Sequence, residues 1–259
     1  MPSDLFDLTG KVALVTGSSK GIGKAIAQEL ARSGAAVVIS SRKTDLCDSV
    51  ASELNAELEG QAGRAVAIAA HIGRRDELER LVAATEEQLG GIDVLVCNAA
   101  VNPYYGSMTE LPDSAFDKIL DVNIKSNHWL VNLVLPGMIE RRDGSIIIVS
   151  SVGGVKGSTH LGAYAISKAA DLQLVRNLAV EHGPNNIRAN AISPGLVRTD
   201  FARALWENPE ILRNRTQQDP LRRIAEPEEM AGIAVYLASR AGSFTTGQNF
   251  LIDGGATIA

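Results

Sequence analysis

Tyr164 and Lys168 stand four residues apart in the stretch Ser151–Lys168, SVGGVKGSTHLGAYAISK. On a helix that spacing puts both side chains on one face, a turn apart. A phenol beside an ammonium is an acid–base device. Free tyrosine titrates near ~10, too high for a base at neutral pH, but a cation within about 4–6 Å favours the phenolate and lowers that value. Ser151 follows the apolar run Ser145–Ser150 (SIIIVS), a short buried strand by its pattern. A hydroxyl at that strand end could reach a substrate oxygen held against Tyr164. A Tyr-x-x-x-Lys pair alone also fits a solvated helix face, so the surrounding elements must decide.

A second group of residues suits a dinucleotide. The loop Thr16-Gly-Ser-Ser-Lys-Gly-Ile-Gly23 lies where a first strand ends and a helix begins. Glycine there permits the tight turn and lets backbone approach a pyrophosphate, while the helix N-terminus offers free N–H donors and a favourable dipole. Gly17, Ser19, Lys20, Gly21, Ile22 and Gly23 are the candidate phosphate cradle. About 20 residues on, where the ribose is read, stand Ser40-Ser41-Arg42-Lys43. No carboxylate is ready to grip a 2′-hydroxyl at Ser41. Arg42, with its planar fork of donors, suits a 2′-phosphate, and Lys20 could reach the same group. Both point to NADP(H) in preference to NAD(H). Arg42 and Lys43 also fit solvated charges at a helix start, and Asp45 reads better as that helix's N-cap than as a ribose ligand.

The elements that must position these residues alternate. Strand patterns occupy Lys11–Thr16, Ala35–Ser40, Ala65–Ala70, Asp93–Cys97, Ser145–Ser150, Ile187–Ile192 and Gln248–Ile252. Helical patterns occupy Gly21–Ser33, Asp45–Leu58, Asp76–Leu89, Asp113–Arg141, the stretch from Leu161, and Pro227–Ser239. A polar and aromatic loop spans Asn98–Pro112, and an irregular stretch runs to about Glu226. Buried strands alternating with helices predict an α/β fold, a seven-stranded parallel sheet with helices on both faces. With no repeat or linker, residues 1–259 read as a single domain. A chain of this length buries roughly 70–75% of its unfolded surface.

The net charge of −5 leaves no basic excess for nucleic acid. Cys47 and Cys97 form no metal-type pair, and Cys97 ends a strand pattern, so free thiols and a reducing compartment are expected. No apolar run approaches the ~20 residues of a membrane span. MPSDLFDLTGK lacks a signal-peptide core, and GGATIA matches no targeting tripeptide. A cytoplasmic location is therefore expected.

From about Gly10 to Asp253 the chain resembles the short-chain dehydrogenase/reductase family. The motifs are Thr-Gly-x-x-x-Gly-x-Gly at Thr16–Gly23, Asn98-Ala99-Ala100 with alanine replacing the family's glycine, and Pro194-Gly195. The resemblance implies a doubly wound Rossmann fold and maps a catalytic tetrad onto Asn123, Ser151, Tyr164 and Lys168. The spacing from Ser151 to Tyr164 is the family's usual one and selects Ser151 over Ser150. Val197 and Thr199 would contact the nicotinamide carboxamide. Asn98 and Ala99 would line the cofactor cleft. Where the family often has an aspartate for the adenine, His71-Ile72 stands, and His71 could donate or stack instead.

The resemblance also implies roles. Tyr164 would be the general acid in reduction or the base in oxidation. Lys168 would lower the Tyr164 pKa and bind the nicotinamide ribose, Ser151 would polarise the carbonyl, and Asn123 would anchor a proton-relaying water. The segments GGVKGSTHLGAYAISKAADLQLVRNLAVEHGP and GLVRTDFARALWENPE, with His71-Ile72-Gly73, are similar to the peroxisomal carbonyl reductases and their bacterial relatives. That implies a small-molecule ketone, aldehyde or alcohol substrate and a homotetramer. Tyr104, Tyr105, Phe201, Leu205 and Trp206 are candidate substrate contacts, the last three in a lid at about 195–226; they equally suit core or subunit packing. Two other readings stay open. One is a 3-oxoacyl carrier-protein reductase, for which Arg141, Arg142, Arg198 and Arg203 would supply a basic surface. The other is a sensor that binds NADP(H) without turnover.

Overall fold

Val, Ile, Leu and Ala dominate seven short runs, of which the central five are buried on both faces and the two at the edges only partly, which is why they form strands of a covered parallel sheet. In the computed structural model, which describes residues 4–259, these strands are β1 (Val12–Thr16), β2 (Ala36–Ser40), β3 (Arg64–Ala67), β4 (Val94–Cys97), β5 (Gly144–Val149), β6 (Ile187–Pro194) and β7 (Asn249–Ile252). Their order is β3-β2-β1-β4-β5-β6-β7, and every neighbouring pair is parallel.

The intervening segments form α1 (Gly21–Arg32), α2 (Thr44–Glu57), α3 (Arg75–Leu89), α4 (Asp113–Leu120), α5 (Ser126–Arg141), α6 (Gly162–His182), α7 (Arg203–Trp206), α8 (Pro209–Thr216) and α9 (Ala231–Ala238). Side chains alternate across each strand, so the sheet feeds two apolar layers. Ala13, Val15, Val37, Ile39 and Val96 pack with α1, α2 and α9 through Ile26, Leu30, Leu54 and Leu237. Leu14, Val38, Leu95, Ile146 and Ile148 pack with α3, α5 and α6 through Leu78, Leu130, Met138, Leu172 and Val175. The strand order reverses between β1 and β4, which opens a crevice beyond their carboxyl ends.

Four boundaries differ from expectation. The third strand ends at Ala67 rather than Ala70, on a sheet edge with a partner on one side only. Asp45 is not a cap: Lys43 occupies that position without a side-chain bond, and Asp45 lies inside the first turn, where a carboxylate complements the helix dipole. The long helical pattern at Asp113–Arg141 is broken by a π turn, Asp121–Lys125. There the Ser126 amide bonds back to the Asp121 carbonyl, the Ser126 hydroxyl donates to the Val122 carbonyl at 2.5 Å, and Asn127 Nδ2 donates to the Asn123 carbonyl at 2.7 Å. Hydroxyl and amide donors thus help satisfy carbonyls where the regular ladder is interrupted. The stretch before Glu226 is not irregular throughout, since it holds a 3-10 turn at Asp200–Ala202 followed by α7 and α8. Among the described residues, no helix is long and apolar enough to cross a membrane.

Candidate active site

The turn after β5 and the first half of α6 bring the acid–base residues together. Gly154 lies on the backbone of α6; a Cβ there would sit 2.8 Å from the Lys168 carbonyl carbon and oxygen, so only glycine lets the turn approach this closely. Ser150 Oγ donates to the Lys168 carbonyl at 2.8 Å and is spent holding the helix. Ser151, the next residue, accepts from the Gly153 amide at 3.1 Å and lies close enough to the Tyr164 phenol to favour its ionised form. Lys168 Nζ lies 5.8 Å from the centroid of the Tyr164 ring.

Lys168 is buried, and its ammonium donates to the Val149 carbonyl at 2.8 Å and to Asp171 Oδ2 at 3.0 Å. Asn127 donates to the other Asp171 oxygen at 3.1 Å. The Asn123 side chain is fully buried and clamps Val101: Oδ1 accepts from its amide at 2.8 Å and Nδ2 donates to its carbonyl at 3.0 Å. Nδ2 also donates to Ser167 Oγ at 3.0 Å. The tetrad expected from sequence is therefore one contiguous cluster, with Asn123 reaching it through Ser167 and the Asn98–Pro112 loop.

The electrostatics differ from the simple expectation for Tyr164. Burial raises its pKa, and this outweighs the opposing pull of the Lys168 charge and the Ser151 hydroxyl; Asp171 raises it further. Lys168 does favour the phenolate, as expected, but the resting group is a firmly protonated phenol. For Lys168, burial disfavours the charge, yet Asp171, Tyr164 and Cys97 together hold the ammonium above its ordinary value.

The glycine loop faces the crevice between β1 and β4. Thr16 Oγ1 accepts from the amides of Asn98 and Ala99 at 3.0 and 3.2 Å, and Asn98 Nδ2 donates to the Thr16 carbonyl at 2.8 Å. Asn98 thus shapes the cradle as well as lining it. Gly17 has φ +66°, and a Cβ on it would meet Asn98 Nδ2 at 2.9 Å. Lys20 caps α1 without a side-chain bond, which leaves the first-turn amides for a ligand. These features fit a dinucleotide pyrophosphate. The sequence places Ser19, Ile22 and Gly23 in this cradle, and Pro194, Gly195, Val197 and Thr199 follow β6 across the crevice. Thr199 approaches the loop, its Cγ2 lying 3.1 Å from where a Gly21 Cβ would stand. Lys20 does not stand free for a 2′-phosphate: its Nζ pairs with Asp200 at 2.9 Å. Arg42 remains at the end of β2, beside Ser41, whose hydroxyl contacts the Cys47 thiol at 3.2 Å. His71 is turned to local structure, its Nδ1 accepting from the Gly73 amide at 3.1 Å and its own amide donating to Glu77.

A shallow pocket opens onto Tyr164 and is walled by Asn102, Tyr104, Met108, Ile119, His160 and Leu161, among others. Tyr104 is a wall residue as expected. Tyr105 is not; it stacks on His160 with centroids 5.2 Å apart and accepts from Arg215 of α8 at 2.8 Å. Phe201 leans on Tyr164 at 5.8 Å. Trp206 is turned into the lid itself, donating to the Thr199 carbonyl at 2.9 Å with Arg198 over its ring. Leu205 lies half-buried in α7 and does not wall the cavity.

Three residues escaped the sequence reading. Asp171 follows Lys168 at i+3, a spacing that puts the two on one helix face and could have been noticed. Asn127 needs the π turn to be known before its direction can be inferred. Asn102 carries a buried Oδ1 with no partner, at the cavity wall. Among the described residues, no cluster of His, Cys, Asp or Glu could hold a metal ion.

The chain matches known proteins along nearly its whole length. A family profile described as "Enoyl-(Acyl carrier protein) reductase" matches residues 17–257. "Dehydrogenase/reductase SDR family member 4" of Bos taurus is 43% identical over 249 residues, covering 96% of this chain and 88% of that protein. Among solved structures, a gluconate 5-dehydrogenase from Burkholderia cenocepacia in complex with NADP and tartrate superposes with a TM-score of 0.93 at 29% identity, covering 99% and 98% of the two chains. A 7α-hydroxysteroid dehydrogenase complexed with NADH and 7-oxo glycochenodeoxycholic acid gives a TM-score of 0.90 at 34% identity, covering 98% and 97%.

Proposed function

The chain belongs to the short-chain dehydrogenase/reductase family, and from that premise we propose that it is an NADP(H)-dependent carbonyl reductase, interconverting a ketone or aldehyde and its alcohol. Membership makes it a nicotinamide-dependent oxidoreductase acting on CH–OH or C=O. The observation that carries the finer reading is the protonated Tyr164 phenol, held beside Lys168 and facing a pocket walled by Asn102, Tyr104 and Met108.

A nicotinamide held by the Gly17–Gly23 cradle would supply or take the hydride at the carbonyl carbon. The protein's residues manage the oxygen. Ser151 orients it and donates a hydrogen bond, and Tyr164 delivers the proton as negative charge develops. Lys168, fixed between Val149 and Asp171, stabilises the phenolate left behind. Positioned proton transfer of this kind contributes about 10²–10⁴ in rate. Phe201 on Tyr164 and the lid behind it exclude water.

Arg42, with no carboxylate beside it at the end of β2, supports NADP(H), as does the NADP complex of the Burkholderia relative. The NADH complex of the steroid dehydrogenase makes cofactor choice a matter for this chain's own residues. A 3-oxoacyl carrier-protein substrate is the second reading, suggested by the profile's description. The arginines that would greet an acidic carrier are already engaged: Arg198 with Glu226, Arg203 with Glu207, Arg141 with Asp93 and the Ile92 carbonyl, and Arg142 with the Pro184 carbonyl. Exposed Ile166 and Val180 on α6 support the expected homotetramer.

The test is NADPH and NADH oxidation, side by side, against ketones, α-dicarbonyls, keto-acids and 3-oxoacyl thioesters, with Tyr164→Phe as control. NADPH turnover with small ketones or dicarbonyls, lost in Tyr164→Phe while cofactor still binds, is expected. Turnover confined to thioesters would favour the second reading. Tight cofactor binding with no turnover on any member of the panel would mean a sensor.

A further inference from the structure

We propose that Asp171 is a positioning residue for proton transfer: its buried carboxylate keeps both the Lys168 ammonium and the Tyr164 hydroxyl protonated, biasing the site toward proton donation. This rests on the reading of Tyr164 as the proton donor.

Asp171 is fully buried, lies 3.0 Å from Lys168 Nζ and takes its second hydrogen bond from Asn127. Asn127 also donates to the Asn123 carbonyl at 2.7 Å, so one amide ties the carboxylate to the π turn. The titratable and hydrogen-bonding groups that reach the pair come from few elements. From α6 come Tyr164, Lys168 and Asp171; from the end of β4, the Cys97 thiol; from the end of β5, the Val149 carbonyl and the Ser151 hydroxyl; from the π turn and α5, the amides of Asn123 and Asn127; from the lid, the uncharged ring of Phe201. Asp171 is the one carboxylate of that set, and Lys168 the one cation.

A buried ammonium without a counter-charge is costly and sheds its proton. With Asp171 present the inner cluster is neutral when Lys168 is charged and Tyr164 is a phenol. Losing a further proton, from either group, creates a net negative charge around the buried Asp171 carboxylate. With a neutral residue at 171, the first proton to leave instead removes a net positive charge. Whichever group releases it, the pair loses its fully protonated form at lower pH. The protonated form is the one that reduces a carbonyl: hydride adds to carbon, the Tyr164 proton goes to oxygen, and Lys168 faces the resulting phenolate. Asp171 therefore sets the alkaline limit of reduction rather than touching substrate.

The experiment is the pH profile of kcat/KM for NADPH-dependent reduction in wild type, Asp171→Asn and Asp171→Glu. In Asp171→Asn the alkaline limb should move down by at least about one pH unit, a tenfold loss at a fixed pH above it. Asp171→Glu should restore the limb even where kcat is reduced. A uniform fall in kcat at every pH, with the limb unmoved, would overturn the proposal and leave Asp171 a packing residue. Should Asp171→Asn not fold, wild type labelled with [ε-¹³C]lysine decides. The Lys168 resonance, assigned by its loss in Lys168→Met, should not titrate below about pH 10.4, the ordinary lysine value; titration between pH 8 and 10 would overturn the proposal. That spectrum reads the Lys168 proton without turnover, so an inactive wild type would count against the proposed function alone.

Discussion

Replacing Asn123 with alanine separates two roles that one side chain combines. The Asn123 amide satisfies both backbone groups of Val101, at 2.8 and 3.0 Å, in a fully buried position. Alanine leaves that N–H and C=O without partners, at about 1–3 kcal/mol for each buried unsatisfied group. A total near 3 kcal/mol corresponds to a fall in Tm of about 6–12 °C for a domain of this size. Val101 lies in the loop between Asn98, which shapes the glycine cradle, and Tyr104, which walls the cavity. Cofactor affinity should therefore weaken along with kcat. Thermal unfolding followed by circular dichroism, together with NADPH titration by fluorescence, measures both. A variant with Tm and cofactor affinity within error of wild type, and only kcat reduced, would refute the clamp and leave Asn123 a purely chemical residue.

Arg42→Ala should lower NADPH kcat/KM by tenfold or more while sparing NADH; equal losses for both cofactors would remove Arg42 from 2′-phosphate recognition. Gly17→Ala forces a Cβ against Asn98 at φ +66° and should abolish cofactor binding in a protein that still unfolds cooperatively; unchanged affinity would show the cradle to be more pliant than its contacts. The Cys97 thiol is pushed up, first by burial and then by Asp171, with Lys168 opposing. Because the folded value lies above the unfolded one, stability holds below ~8.5 and then declines by about 1.4 kcal/mol per pH unit as the unfolded thiol ionises. Urea denaturation at pH 7.5 and 9.5 should show that slope in wild type and a smaller one in Cys97→Ala; identical slopes would mean other groups set the alkaline limit.

The glycine loop, Ser151, Tyr164 and Lys168 were legible in sequence because each depends on local geometry: a strand end, a helix start, a four-residue spacing. The central strands were legible because burial on both faces leaves largely apolar runs. What stayed hidden depends on packing across distance. No local pattern announces that Lys20 pairs with Asp200, or that Tyr105 stacks on His160 and leaves the cavity wall to Met108 and Leu161. The π turn at Asp121–Lys125 is invisible to a 3.6-residue period, and it turns Asn123 toward Val101 and Asn127 toward Asp171. The sign of the Tyr164 shift was missed for a related reason. A neighbouring cation can be read from spacing, whereas the depth of burial that outweighs it cannot.

The strand order also governs how the chain reaches its native state. β1 lies between β2 and β4, and Ala13 aligns with Val94 across the latter contact. No two neighbouring strands form a hairpin, so sheet assembly has no short loop to close first. Non-local pairing of this kind is slow, and at about 5–20 residues per second a ribosome needs several seconds to supply Val94 after Ala13. Until then Leu14 and Val15 have only half of their final surroundings, and the nascent first half exposes an unpaired apolar strand edge. Chaperone dependence during synthesis, more than equilibrium stability, should limit the yield of variants with substitutions in β1 or β4.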